Sequence, residues 1–258
     1  MKQTLTAIII SGNFQDVISR CLNSVAFADE IVVVLANSTD NTSKIIKDNY
    51  PQVKTTIVTD EYNKKFSNWR NAGYKMATSN WIFYVDTDEV VTPNLAKEII
   101  STINQPEHDS YYVVPRANHF LGQRVRHGGS YPDYVKRLFY TKNFKGFTGD
   151  VHEEPVVTGN MGYLKNDLQH FTHTDLQSML QKSLVWTDTE AKLLFQANHP
   201  PVVWWRFPRM MLTKFWERMI KEKMFLDGTV GVISVIFEMF NTFMIYARLW
   251  ELQQKKGI

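Results

Sequence analysis

One cysteine, Cys21, stands in 258 residues, so no internal disulfide framework can hold this chain together. That scarcity fits a reducing compartment. No G-x-G-x-x-G follows the first apolar run, which argues against a dinucleotide oxidoreductase, and no G-x-x-x-x-G-K-[ST] occurs, which argues against a phosphate-loop NTPase. Internal repeats and low-complexity tracts are absent. The N-terminal apolar run at 7–10 is too short for a signal-peptide core and reads as a first strand. Excess charge is small, a formal +3, but it is unevenly placed. Residues 201–258 hold nine Lys/Arg against five Asp/Glu, leaving the remainder near neutral. A basic tail on a neutral body suggests an anionic partner surface, lipid or nucleic acid.

What the chain does have is apolar: 44% of residues are hydrophobic and 13% aromatic, enough for a sizeable core. Apolar runs at 5–10, 31–35, 54–58 and 81–85 read as strands. Helical spacing fills 15–25, the segment after the polar turn 37–42, 69–77 and 93–103, with Pro51 ending the second helix. Strand and helix alternating at this spacing predict a doubly wound α/β sheet. Beyond it the pattern turns β-rich, with strands at 111–115 and 134–140 and a turn at 118–122.

The sequence W-I-F-Y-V-D-T-D-E at 81–89 is the centre of this pattern. A buried strand ends in three acids, at the edge where open α/β sheets bind ligands. Three acids in four residues repel one another unless a cation lies between them. The D-x-D pair Asp86 and Asp88 suits Mg²⁺ or Mn²⁺ shared with phosphate oxygens. The plainer alternative is a solvated acidic turn before the helix that Thr92-Pro93 starts.

Six stretches carry a resemblance that covers nearly the whole chain in order: VVVLANSTDNT, FSNWRNAGYKMATSNWIFYVDTDE, PRANHFLGQRVRHGGSYPDYVKRLF, VHEEP, LQHF and FLDGTVG. Together they resemble bacterial family-2 inverting glycosyltransferases, nearest to those that add glucose or a similar sugar to the lipopolysaccharide core. The resemblance implies a GT-A, Rossmann-like sheet with a C-terminal helical extension, divided at 1–173 and 174–258. It implies a UDP-linked sugar donor, a divalent metal, and a glycan or glycolipid acceptor. Asp88 becomes the expected direct metal ligand, Asp86 a ligand to the metal or the ribose, and His170 a third ligand. Arg70 would pair with a phosphate, and Asn13 and Ser38 would border the nucleotide. Glu153, in a His-Glu pair with His152, and Asp133, four residues before Arg137-Leu138, compete as general base.

Two positions depart from the family. Leu35-Ala36-Asn37 stands where an aspartate usually closes the second strand, and Asn13-Phe14 where Asn-Glu is usual. Asp60 and Glu61 are the acids available to replace them. These departures leave an inactive, scaffolding relative as the alternative function; a nucleotidyltransferase is the second.

The C-terminal third is predicted helical. Residues 175–198 have amphipathic spacing, broken by Pro200-Pro201. Residues 204–223 mix Trp204, Trp205, Phe207 and Trp216 with six cations, the composition of a membrane-surface helix. A packing helix is the alternative, and no nucleic-acid module is recognisable. Residues 229–246 approach spanning length, but Glu238 at the centre favours an interfacial or buried helix. The expected location is the cytoplasmic face of a bacterial inner membrane, with peripheral attachment.

Overall fold

The computed structural model describes residues 2–59, 66–149 and 153–256. Its elements in order are β1 (Leu5–Ser11), α1 (Ile18–Ser24), β2 (Glu30–Ala36), α2 (Thr42–Asn49), β3 (Lys54–Val58), α3 (Phe66–Met76), β4 (Trp81–Asp86), β5 (Glu89–Val91) and α4 (Pro93–Ile103). Then come β6 (Tyr111–Phe120), β7 (Gln123–Arg124), β8 (Asp133–Tyr140), β9 (Phe144–Thr148), β10 (Glu154–Val157), β11 (Met161–Tyr163) and β12 (Leu168–His173). Helices α5 (Leu176–Gln196), α6 (Arg206–Phe215) and α7 (Gly228–Lys256) complete the chain. The chain divides into two compact units, 1–116 with 133–170, and 117–132 with 171–258.

In the first unit β3, β2, β1 and β4 lie side by side and parallel, as the βαβ alternation requires. β1 and β4 lie inside the sheet, covered on both faces, and apart from Thr6, Ser11 and Asp86 they are apolar. Side chains alternate between two cores: Ala7, Ile9, Val33 and Phe83 on one face, Ile8, Val32, Ile82 and Tyr84 on the other. Beyond β4 the sheet continues with antiparallel β8, then β6, β12 and β5.

Helix α4 starts as its sequence predicts. The Thr92 hydroxyl accepts from the Leu95 N–H at 3.1 Å, and Pro93 takes the first helical position. Helix α3 lies close on the sheet because of Gly73. A Cβ there would stand 2.5 Å from Ile8 Cγ2 and 3.0 Å from Val34 Cγ2. That close seating fixes the turn of α3 that carries Arg70.

In the second unit β6 and β7 form a hairpin, with Phe120 opposite Gln123. The expected turn at 118–122 therefore shrinks to Leu121-Gly122. Both residues have positive φ, 49° and 77°, the twist that suits a two-residue hairpin. The strand outruns the predicted 111–115 because Asn118 and His119 pair along it rather than turning. Asp175 caps α5, accepting from the Ser178 N–H at 2.7 Å. The single amphipathic helix expected at 204–223 is instead α6 followed by a π-helical turn, Trp216–Lys221.

Candidate active site

A cavity of about 600 Å³ opens at the C-terminal ends of β1, β2 and β4. Its lining includes Ser11, Gly12 and Phe14 after β1, Ala36 and Asn37 after β2, and Phe66, Trp69 and Arg70 from α3. Asp86, Thr87 and Asp88 from the β4 turn, with Glu153 and His170, complete it.

The acids of the β4 turn have three different fates. Glu89 is fully buried, accepting from the Asp86 N–H at 2.8 Å and from Arg137 Nη2 at 2.6 Å; Arg116 Nη1 lies 3.6 Å away. Burial raises its pKa, and Arg137 opposes the rise. Asp86 receives Arg137 Nη2 on one oxygen and Arg70 Nη2 on the other, the latter at 3.2 Å. Burial alone would raise the Asp86 pKa, but the two guanidinium groups, Arg137 first, hold it well below the carboxylate range. The cations that relieve repulsion between these acids are thus arginines, where the sequence pattern suggested a metal ion. Thr87 turns inward, its hydroxyl donating to the Ile10 carbonyl at 2.7 Å. Asp88 is left facing the cavity.

His170 meets Asp88 there. Antiparallel pairing sets His170 of β12 opposite Glu89 of β5, and His170 Nε2 lies 3.5 Å from Asp88 Oδ2. One carboxylate oxygen and one imidazole nitrogen are donors that Mn²⁺ accepts, with other positions left for water and phosphate oxygens. Among the described residues no group of three or more His, Cys, Asp or Glu is arranged to hold a metal. The pair therefore fits an ion that completes its shell from a ligand. Asp86, paired with two arginines, lines the same cavity beside them.

Arg70 links the site together. Its Nε donates to Glu153 Oε1 at 3.1 Å, and its guanidinium lies over the rings of Tyr84 and Phe147 at 5.5 and 5.3 Å. Its remaining nitrogen, Nη1, is buried without a hydrogen-bond partner. Ser11 Oγ and Trp69 Nε1 on the same lining are also buried and unpartnered. Buried polar atoms are normally satisfied, so three orphans on one cavity point to a polar ligand.

The other expected residues fall elsewhere. Asp133 is gripped by Arg116, at 2.6 Å to Nη2 and 2.8 Å to Nε, and is not on the cavity lining. Asn13 spends its side chain on the 37–41 turn, accepting from the Thr39 N–H at 2.7 Å and donating to the Thr39 hydroxyl at 3.0 Å. Ser38 donates to Asp40 at 3.3 Å. Both shape the loop, while their neighbours Gly12, Phe14 and Asn37 line the cavity. Leu35 is buried in the core; the strand alternation puts Ala36 on the cavity. His152, Asp60 and Glu61 lie outside the described residues. Sequence reasoning missed Arg137, Glu89 and Trp69 as site residues. The Arg-Leu pair at 137–138 was the available signal, but a charge pair 51 residues apart has no local signature.

Comparison with known proteins agrees with this geometry. The family model for glycosyl transferase family 2 matches residues 6–171. The glycosyltransferase SunS of Bacillus subtilis is 33% identical over 156 residues, 59% of this chain. The match spans only 35% of SunS, about a third of that protein's length. LpsC of Rhizobium meliloti, a lipopolysaccharide core biosynthesis glycosyltransferase, is 21% identical over 99% of this chain and 95% of its own. Among solved structures, the Pyrobaculum calidifontis mannosyltransferase PcManGT superposes over 98% of this chain and 87% of its own, with TM-score 0.50 and 12% identity. With a family model covering the sheet, the acid turn and His170, the chain belongs to glycosyl transferase family 2, and its fold is that of the GT-A glycosyltransferases.

Proposed function

We propose that this glycosyltransferase moves a sugar, with inversion, from a UDP-linked donor to a lipid-linked or surface glycan of the lipopolysaccharide-core kind. The observation that carries the reading is the convergence of Asp88, His170, Arg70 and Glu153 on one cavity. LpsC, named for lipopolysaccharide core biosynthesis, supports the acceptor class. PcManGT, described in complex with GDP-Man and Mn²⁺, supports a nucleotide-sugar donor and a divalent metal. The enzyme works at the cytoplasmic face of the inner membrane, attached peripherally.

Phe14, Phe66 and Trp69 give the nucleoside an apolar surface to stack on, in place of the missing acids. Arg70 Nη1 and the Ser11 hydroxyl donate to the diphosphate. Asp88 and His170 hold a divalent ion, which when bound supplies positive charge to the leaving diphosphate. Asp86 and Glu89, neutralised by Arg137, keep the arginine wall in position. Glu153 takes the proton from the acceptor hydroxyl as its oxygen bonds to the anomeric carbon and the bond from that carbon to the diphosphate breaks. Resting Glu153 is paired with Arg70. A diphosphate that draws Arg70 away frees the carboxylate oxygen to receive the acceptor hydroxyl, coupling donor binding to acceptor engagement.

A thermal-shift panel of nucleotide sugars, with and without Mn²⁺, tests the donor and the metal together. The expected result is stabilisation by one UDP-sugar that grows with Mn²⁺. Asp88→Asn is expected to abolish the Mn²⁺-dependent part and cut transfer about a hundredfold or more, without unfolding the chain. Transfer at the parental rate would remove Asp88 from the site.

A further inference from the structure

The second unit has two modest apolar clusters, around Val235 and around Leu249, and turns many large apolar side chains outward. Helix α5 buries Met179, Ser183, Thr187 and Ala191, a stripe of mostly small residues at four-residue spacing, while Leu184, Val185 and Trp186 are exposed. Helix α7 meets α5 with small and polar groups too. Ser234 is buried, and the Ser183 hydroxyl donates to Asn241. Small residues and interhelical hydrogen bonds are the packing chemistry of helices whose outer surface faces lipid.

The outer surface of α7 has matching order. Val232, Ile236, Phe240, Phe243 and Trp250 are all exposed. At 100° per residue they fall within one narrow stripe, about 27 Å long. The stripe carries no charged residue. Met224–Lys255 is long and apolar enough to cross a membrane by length and composition. Its chemistry is nevertheless one-sided. Glu238 is paired with Arg218 at 2.7 Å, and Arg248 with Asp188 at 2.7 Å, on the packed side. One apolar face with charged groups on the opposite, packed side is the pattern of a helix that lies in an interface.

The surroundings of the stripe name its occupant. Phe207 of α6 touches Phe243, with ring centroids 5.7 Å apart. That contact joins the stripe to Trp204 and Trp205, which are 80% and 43% exposed. Arg209 lies over the Trp205 ring at 5.6 Å. Arg206 lies over the same ring at 5.9 Å. Exposed tryptophans with arginines stacked on Trp205, in a segment with nine Lys/Arg against five Asp/Glu, complement a headgroup layer with negative charge.

We infer that the α7 stripe, with the Trp204–Trp205 edge of α6, docks on a bilayer containing anionic lipid, with α7 lying in the plane of the interface. This deepens the peripheral attachment proposed above by naming its face. Donor binding belongs to the other unit, so the two readings fail separately.

The test is flotation of the full chain with vesicles of phosphatidylcholine alone, or of phosphatidylcholine and phosphatidylglycerol in equal parts. The parent is expected to float with the mixed vesicles, less with the neutral ones, and less again at high salt. Ile236→Glu with Phe240→Glu should lower recovery about tenfold or more while keeping the parental thermal melt and nucleotide-sugar shift. Brominated lipid in the mixed vesicles should quench the parent's tryptophan emission. Parental flotation by the double variant, or emission that brominated lipid leaves unchanged, overturns the inference. So does a parent that stays off vesicles and forms dimers that the double variant disrupts, which makes the stripe a contact between copies. A double variant that melts early leaves the quenching experiment to decide.

Discussion

Strand β4 buries Trp81, Phe83 and Tyr84 completely, whereas α5 buries Ser183, Thr187 and Ala191 and leaves Leu184 and Trp186 exposed. The two units therefore solve different problems. In the first, large side chains fill the space between sheet and helices, and the charges brought inward are matched: Arg137 to Asp86 and Glu89, Arg70 to Asp86 and Glu153. In the second, small groups let α5 and α7 approach beside two modest aliphatic clusters, and many large apolar groups are left outside. Inward charge in a packed frame makes a reaction site. Outward apolar surface on a helical unit is where the proposed bilayer contact lies.

The largest test of this contrast is Arg137→Ala. It leaves Asp86 and the fully buried Glu89 without their shared cation, and should cost about 3–5 kcal/mol in denaturant unfolding. A loss under about 1 kcal/mol would mean that the acid cluster is solvated and the contrast is wrong. Glu153→Gln is expected to keep the nucleotide-sugar thermal shift and vesicle flotation but to lower transfer at least about a hundredfold. Asp133→Asn should not reproduce that loss; if it does, the base is Asp133 and Arg116 is its partner. Matched truncations sharpen the packing side. Ile9→Ala, in the core of the sheet, should destabilise by about 2–5 kcal/mol. Ile236→Ala on the exposed stripe should stay within about 0.5 kcal/mol in solution and yet weaken flotation.

A further modest effect concerns Glu30, at the start of β2. Burial would raise its pKa, but hydrogen bonds from Lys54, Thr6 and Thr78 outweigh it and hold the carboxyl at about 2. A folded pKa below the unfolded one means that the stabilisation is complete above pH 4.5 and fades as pH falls toward 2. Because Lys54 is half exposed, the contribution is reduced by solvent to about 1 kcal/mol. Glu30→Gln should therefore lower stability by that amount at pH 7, and the gap from the parent should narrow below pH 4.5. A gap that does not change with pH would assign the effect to packing.

Much of the first unit was legible in the chain. Uninterrupted apolar runs such as 81–85 have one low-energy use, a strand covered on both faces, and Thr92-Pro93 starts a helix wherever it stands. The acids at the strand end marked the site for the same local reason. The roles of Asp133, Asn13 and Ser38 were harder to read, because partners decide them. Asp133 finds Arg116 across two strands, and Asn13 finds the Thr39 backbone 26 residues on. Leu35 and Ala36 are adjacent in sequence, yet pleating sends one to the core and the other to the cavity.

The sequence by itself determined the alternation of strands and helices, the acid turn after β4 and the apolar content of α7, because each depends on spacing within a few residues. Tertiary structure alone decided how the three acids are used, since guanidinium groups from α3 and β8 take Asp86 and Glu89 and leave Asp88 to His170. It also decided which side of α7 stays bare. Period and composition make a stripe, but only the packing of α5 and α6 against the rest of the helix leaves that stripe in contact with solvent.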